Sequence, residues 1–448
     1  LVVGNKLVDP GATGLLGALE AQRIIEAESG DLEPRVLAKG NVAGTYGNVA
    51  AQLHLTAPSG TPVPQLTRGR GDALAAAVGA ALERTSLGRL LAEEGPPERM
   101  SRDELASLGE AARIDHLTET ERDLIGKIII PTSPLTAAER RRSATYGLTL
   151  YFARQAGRKP TRPSFLSFLA SGAEVPPSLV GIRAGWRFYL TRDMLAVLHE
   201  QALQACVLAV EALTGGERLV SARVVQQHLL ESGSHHELLL EFGLVPAARR
   251  LADVTIRELH ERIATRTAEA VLEGGCLRWE DPLDEEALMG RSWTAESAVL
   301  VLLPVAWLLA CRRNAPMLEE AGSRAVGIAG AGWGRMGLVE VIAPTVARWL
   351  AEDTSLLAAM AELVRRTVDQ HLRIVWGRRR SDPRRDAATL TVDGDAWRFR
   401  ASYYGGRSLT RLEQAFGWFE TLGWWSEAGL TEAGHAAYAR ALAGAEAK

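Results

Sequence analysis

The chain has 448 residues, with 51 Lys plus Arg against 54 Asp plus Glu and a formal net charge of −3. Hydrophobic residues make up 47% and charged residues 23%, an ordinary globular mixture that excludes a disordered polymer, a collagen-like repeat and a polybasic tail protein. At about 100–200 residues per domain, two to four domains are expected, each with its own core.

In chain order, the first signal is a weak strand pair across Ala51–Leu66, interrupted by Pro58, Gly60, Pro62 and Pro64. Gln65-Leu66-Thr67-Arg68-Gly69-Arg70 then precedes an apolar helix, Ala73–Leu82. Capping boxes, in which a Ser or Thr and a Glu three residues on satisfy two orphan N–H groups, occur at Ser101–Glu104, Thr118–Glu121, Thr136–Glu139 and Thr410–Glu413. Each opens a segment of helical periodicity. From Met194 to Leu213, Leu195, Leu198, Ala202, Cys206 and Ala209 share one face while Glu200, Gln204 and Glu211 fall elsewhere. Long helices are expected at 246–273, 296–320, 338–351 and 355–376. The clearest strands flank Asp393-Gly394 within Thr389–Ser402, a tight-turn dipeptide between alternating runs.

This pattern predicts a mostly α fold: a helical body with small α+β modules at the C-terminus and near the N-terminus. The expected segments are an N-terminal module (1–80), a helical domain (81–276), an acidic exposed connector (277–290) following Gly274-Gly275, a helical segment (291–354) and a C-terminal domain (355–448).

Cys206, Cys276 and Cys311 are odd in number, far apart and at no metal-ligand spacing, which predicts reduced thiols and a cytoplasmic location. The most apolar run, Ser297 to Cys311, has 15 uncharged residues. It falls short of the ~18–20 needed to span a bilayer and contains Pro304, so a buried helix and no membrane contact are expected. No basic region precedes an apolar stretch near Leu1, so no secretory signal is expected.

The C-terminal part resembles the winged-helix superfamily. The residues that carry the resemblance are the Asp393-Gly394 hairpin, the helix Thr410–Leu422 with Leu412, Ala415, Phe416 and Phe419 on one face, and the ending GWWSEAGLTEAGHAAYARALA. Gln65–Leu82 is a fainter echo. The chain as a whole resembles large, mostly helical bacterial proteins encoded in phage-defence gene clusters, on the segments WRFYLTRDMLAVLHE (186–200), RTVDQHLRIVWGRR (366–379) and LGWW…LTEAG. That resemblance implies a setting, antiviral defence within a multiprotein complex, and no mechanism.

Charge placement points to a ligand. Of the 51 basic residues 46 are Arg, a ratio that follows either from a GC-rich genome or from phosphate recognition by planar guanidinium groups. Arg365–Arg411 holds twelve Arg against five Asp, a local balance of +7, interleaved with Trp376, Trp397, Phe399, Tyr403 and Tyr404. Arg140–Arg162 holds seven basic residues and no acid, again +7, leaving −17 on the rest of the chain. Arginines beside a hairpin suit phosphate contacts. The candidate nucleic-acid-binding residues are Arg378, Arg379, Arg380, Arg384, Arg385, Arg398, Arg400, Arg407 and Arg411 in the first segment, and Arg140, Arg141, Arg142, Arg158, Lys159 and Arg162 in the second.

Signals for catalysis are weak. Gly332, Gly334 and Gly337 match G-x-G-x-x-G, with Glu352 and Asp353 at the distance of a ribose-binding acid. The intervening residues read as helix running into helix, without the second strand a dinucleotide fold requires. No phosphate loop, nucleophile elbow or zinc helix is present. His235-His236-Glu237 is the only histidine cluster, and adjacent helical histidines diverge by about 100°. The expected function is a non-catalytic DNA-binding and assembly subunit without cofactor or metal, whose partners are DNA and other subunits. The alternatives are a protein–protein scaffold docking an ATPase or nuclease, and a metal-dependent nuclease whose carboxylates are distant in sequence.

Overall fold

A computed structural model of the chain describes residues 7–8, 18–28, 30–33, 49–57, 65–93, 95, 97–132, 136–216, 218–232, 234–266, 268–273, 276–281, 283–321, 337–381, 388–405 and 412–446. The fold is mostly α, 68% helix. It divides into two compact units, one of Leu1–Pro160 with Arg411–Lys448 and the other of Thr161–Thr410.

The first unit begins with α1 (Ala18–Ala27), the two-residue strands β1 (Thr56–Ala57) and β2 (Gln65–Leu66), α2 (Arg70–Leu82), α3 (Ser86–Glu93), α4 (Arg102–Ala111), α5 (Glu119–Ile129) and α6 (Ala137–Ala156). Thr56 pairs with Leu66 and Ala57 with Gln65, antiparallel, as the sequence suggests. The capping boxes at Ser101, Thr118 and Thr136 all form and start α4, α5 and α6.

The second unit opens with α7 (Arg162–Ala170) and α8 (Pro177–Thr214), followed by β3 (Val220–Ser221), α9 (Ala222–Ser232), α10 (His235–Glu241) and α11 (Ile256–Ala264). A hairpin follows, β4 (Glu269–Glu273) and β5 (Cys276–Glu280). Then come α12 (Glu285–Ser292), α13 (Val299–Arg313), α14 (Ala315–Ala321), a π-helical turn at Leu338–Ile342 leading into α15 (Ala343–Ala351), α16 (Leu356–Ser381), and strands β6 (Leu390–Asp393) and β7 (Ala396–Phe399). α13 is the apolar run found in the sequence, and all its residues from Val299 to Ala310 are buried. α8, α11, α12, α15 and α16 surround it. Among the described residues one helix, α8, is long and apolar enough to cross a membrane by length and composition alone, and 56% of its most apolar window is buried inside the protein.

The chain then returns to the first unit with α17 (Leu412–Thr421), β8 (Trp425–Ser426), β9 (Gly429–Leu430) and α18 (Glu432–Glu446). α18 packs along α6, with Tyr438 6.3 Å from Tyr151 between ring centroids. Thr431 Oγ1 accepts the Gly434 N–H at 3.0 Å and donates to the Gly423 carbonyl. A β-carbon on Gly434 would run into the Trp424 carbonyl oxygen. The LTEAG pattern is therefore a helix cap followed by a close backbone approach.

Several expectations need correction. The helix expected at 246–273 is short, only α11, and β4 starts at Glu269. Ala270 and Leu272 share one strand face while Glu269, Val271 and Glu273 share the other, so period 2 wins over helix there. The segment 277–290 is not an exposed connector. Asp281 and Glu285 have side chains only 1% and 7% exposed, and both pair with the equally buried Arg313, Glu285 at 3.2 Å. Residues 355–448 are not one domain, because α16 packs into the α13 core while α18 packs on α6. The helix expected at 296–320 breaks between α13 and α14 at Asn314, whose side chain turns to Thr191 and the Ala310 carbonyl. Gly332, Gly334 and the Thr410 cap lie outside the described residues; the residues after Gly337 are helical.

Candidate nucleic-acid interface

The basic residues from 365 to 411 that the structure describes belong to the second unit. β7 is the central strand of a three-stranded antiparallel sheet ordered β3–β7–β6. Val220 faces Trp397, and Leu390, Thr391, Val392 and Asp393 face Phe399, Arg398, Trp397 and Ala396. The Asp393-Gly394 turn forms with Gly394 at φ +60°, the left-handed conformation that glycine tolerates without strain. Leu390 and Trp397 are buried against the core, so Thr391 and Arg398 lie on the opposite face.

The hairpin lies beside α16. At its tip Asp395 pairs with Arg365 at 3.4 Å. At its root Thr389 bonds His371 Nε2, through its backbone N–H at 3.3 Å and its hydroxyl at 3.1 Å. The chain leaving β7 then passes the same helix. Tyr403 meets the His371 ring edge-on at 5.9 Å, and the Gly405 N–H donates to Gln204 of α8 at 3.2 Å. Burial, Glu200 and, in opposition, Arg378 act on the Tyr403 hydroxyl and push it up to about 12. Burial and the Arg378 charge together lower the His371 pKa, so the imidazole stays neutral beside the arginines.

Beyond Leu372, α16 leaves the core. Val375 is its last buried residue among those described, and Trp376, Gly377, Arg378, Arg379 and Arg380 are all exposed. Arg373 is exposed as well. Arg373, Arg379 and Arg380 stand at i−3, i+3 and i+4 from Trp376, so they flank the indole on one side of the helix. Arg379 and Arg380 have no ion-pair partner among the described residues. Arg398 and Arg400 are exposed and, with Thr391, Phe399, Gly215 and Gly216, line an open cleft of about 540 Å³ between the hairpin and the end of α8. Of the five aromatics in this segment, Trp397 is buried and Phe399 and Tyr403 pack on the core, whereas Trp376 and Tyr404 are 76% and 81% exposed. Sequence reasoning counted Arg373 in the charge balance but passed over it as a contact, although its spacing from Trp376 was the available signal. It also passed over Thr391 and the Gly215-Gly216 turn, which only tertiary folding brings to the hairpin. Arg384, Arg385, Arg407 and Arg411 lie outside the described residues.

The second basic segment is divided and largely committed. Arg162 belongs to the second unit and pairs with Glu286. Arg140, Arg141, Arg142, Arg158 and Lys159 belong to the first. Arg142 is half-buried and caps the end of α5, donating to the Ile129 and Ile128 carbonyls at 3.1 and 3.2 Å. Lys159 bonds Glu420 at 2.9 Å and Glu427 at 3.1 Å, which raises its pKa. Arg140 and Arg158 are partly buried, and Arg141 and Arg154 are exposed. The local charge of +7 is thus neutralised in part by acids remote in sequence.

Among the described residues no group of three or more His, Cys, Asp or Glu is placed to hold a metal ion. His235 is buried with Nε2 3.0 Å from the Leu229 carbonyl, and all three cysteines are free thiols. No protein-family model matches the chain, nor does any curated protein or solved structure.

Proposed function

We propose that the chain is a non-catalytic nucleic-acid-binding subunit of a larger assembly, and that its contact surface is the exposed end of α16 together with the β6–β7 hairpin. The observation that carries this reading is the run Trp376–Arg380, exposed throughout, with exposed Arg373 three residues before Trp376. Guanidinium groups of this density on a projecting helix provide the salt-sensitive phosphate contacts that dominate nucleic-acid affinity. The order of elements adds support. We read the order helix (the end of α8), strand (β3), helix (α9), helix (α16) and hairpin (β6–β7), with residues 233–355 between the second and third helices, as similar to that of a winged helix. The setting in bacterial antiviral defence rests on resemblance alone.

The test is binding of a labelled DNA by the full chain and by R378A/R379A/R380A, with R141A as a control on the other unit. The triple variant loses at least tenfold in affinity for every sequence tried, and R141A binds as wild type. Unchanged affinity of the triple variant would overturn the assignment.

A second reading, a scaffold that docks a partner protein, is favoured by β4. All five of its residues are exposed, Leu272 at 69% and Val271 at 43%, and its only strand partner among the described residues is β5. Such an edge can accept a further strand. Pull-down of a partner that survives nuclease treatment supports this reading.

A further inference from the structure

We infer that Trp376 is a base-stacking platform and that the nucleic acid held by α16 is single-stranded. This inference rests on the function proposed above and names its ligand class.

A tryptophan 76% exposed leaves most of its apolar surface in water, a cost a surface helix avoids with almost any other residue. The position is not a packing residue that has come loose. Val375, one residue earlier, is only 5% exposed, so the helix is still packed up to the residue before the indole. Gly377, one residue later, has nothing within 4 Å of where a β-carbon would sit, so the neighbouring position is open. Arg373, Arg379 and Arg380 flank the indole at helical spacing, all exposed. Tyr404, 81% exposed, follows directly after Tyr403, which is fixed against His371 of the same helix.

An aromatic face between guanidinium groups is the arrangement that holds an unpaired strand: the arginines track phosphates and the ring takes a base. In a duplex both faces of every internal base are already stacked, and the grooves present only base edges. Trp376 would gain nothing from a duplex that the arginines do not already provide. A single strand offers a free face to it, whatever the base.

The test measures binding of a 20-nucleotide oligo-dT and of a blunt 20-base-pair duplex by the full-length wild type, Trp376→Ala, Trp376→Phe and R379A/R380A. The wild type binds the single strand more tightly. Trp376→Ala loses about fivefold or more on oligo-dT and nothing on the duplex, while Trp376→Phe keeps most of the affinity. R379A/R380A weakens both ligands. The site is solvent-facing, so all variants melt at the wild-type temperature. Equal affinity of wild type and Trp376→Ala for oligo-dT would overturn the stacking role. If R379A/R380A still weakens both ligands, the proposed function survives that result. Failure of the wild type to bind either ligand overturns both claims. Binding of poly-glutamate or of anionic phosphatidylserine vesicles that depends on Trp376 as strongly as oligo-dT binding also overturns the inference.

Discussion

His199 joins three helices of the second unit through its two ring nitrogens. Trp307 Nε1 of α13 donates to Nε2 at 3.0 Å, so the proton sits on Nδ1 and is donated to Thr367 Oγ1 of α16 at 2.7 Å. The residue is only half-buried, but both nitrogens are occupied within the core, and burial pulls its pKa down to about 4. A histidine pKa depressed below its unfolded value means that the unfolded chain binds the extra proton. Stability from this group is complete above pH ~6.5 and is lost as pH falls toward about 4, up to about 3 kcal/mol in all. NMR titration of the His199 ring should show no protonation between pH 8 and 5, and a midpoint near 6.5 would contradict this account. None of it was legible in the sequence, where His199 is a lone histidine on a helix. Its partners lie 108 and 168 residues away. Arg142 carries the same lesson for the charge map. It looked like a phosphate contact because the segment around it lacks acids, and it is instead spent on carbonyls at the end of α5.

Elements with local signals were read well, and those decided by tertiary partners were not. The capping boxes need only four consecutive residues, and three of the four fall among described residues and form. The Asp393-Gly394 hairpin also appears where its dipeptide places it. The β4–β5 hairpin was missed because the helical reading was carried through to residue 273 and Gly274-Gly275 was taken as a boundary. Trp279, on β5, donates its backbone N–H to Ser164 of α7 at 3.2 Å, a contact no local pattern announces. At this scale Gly434→Ala should destabilise the chain by about 2 kcal/mol or more, because the Trp424 carbonyl must move to admit a methyl group. Thermal unfolding of that variant checks it, and an unchanged melting temperature would show that α18 can shift freely. Arg313→Met should cost about 3–5 kcal/mol, since it leaves Asp281 and Glu285 buried without their cation. Burial raises the Glu285 pKa while Arg313 opposes it, so in the variant, with that opposition gone, Glu285 should bind a proton more readily than in the wild type. Denaturant melts at pH 5 and pH 8 should then show the variant recovering relative to wild type at the lower pH.

For the whole molecule, the near-neutral charge conceals an uneven distribution, and the structure sorts it further than composition could. One basic segment is largely consumed in caps and ion pairs. The other keeps Arg373, Arg379, Arg380 and Arg398 exposed around one helix end and one hairpin. The two-unit division was out of reach of the sequence because the first unit is closed by residues 411–448 returning to α6 after 250 intervening residues, Thr161–Thr410. The central claim, that the end of α16 holds phosphates, is tested most directly by the salt dependence of oligo-dT affinity for wild type and R378A/R379A/R380A. If the three arginines each neutralise one phosphate, the slope of log affinity against log salt should be shallower in the variant by about 2. Parallel slopes would contradict the account.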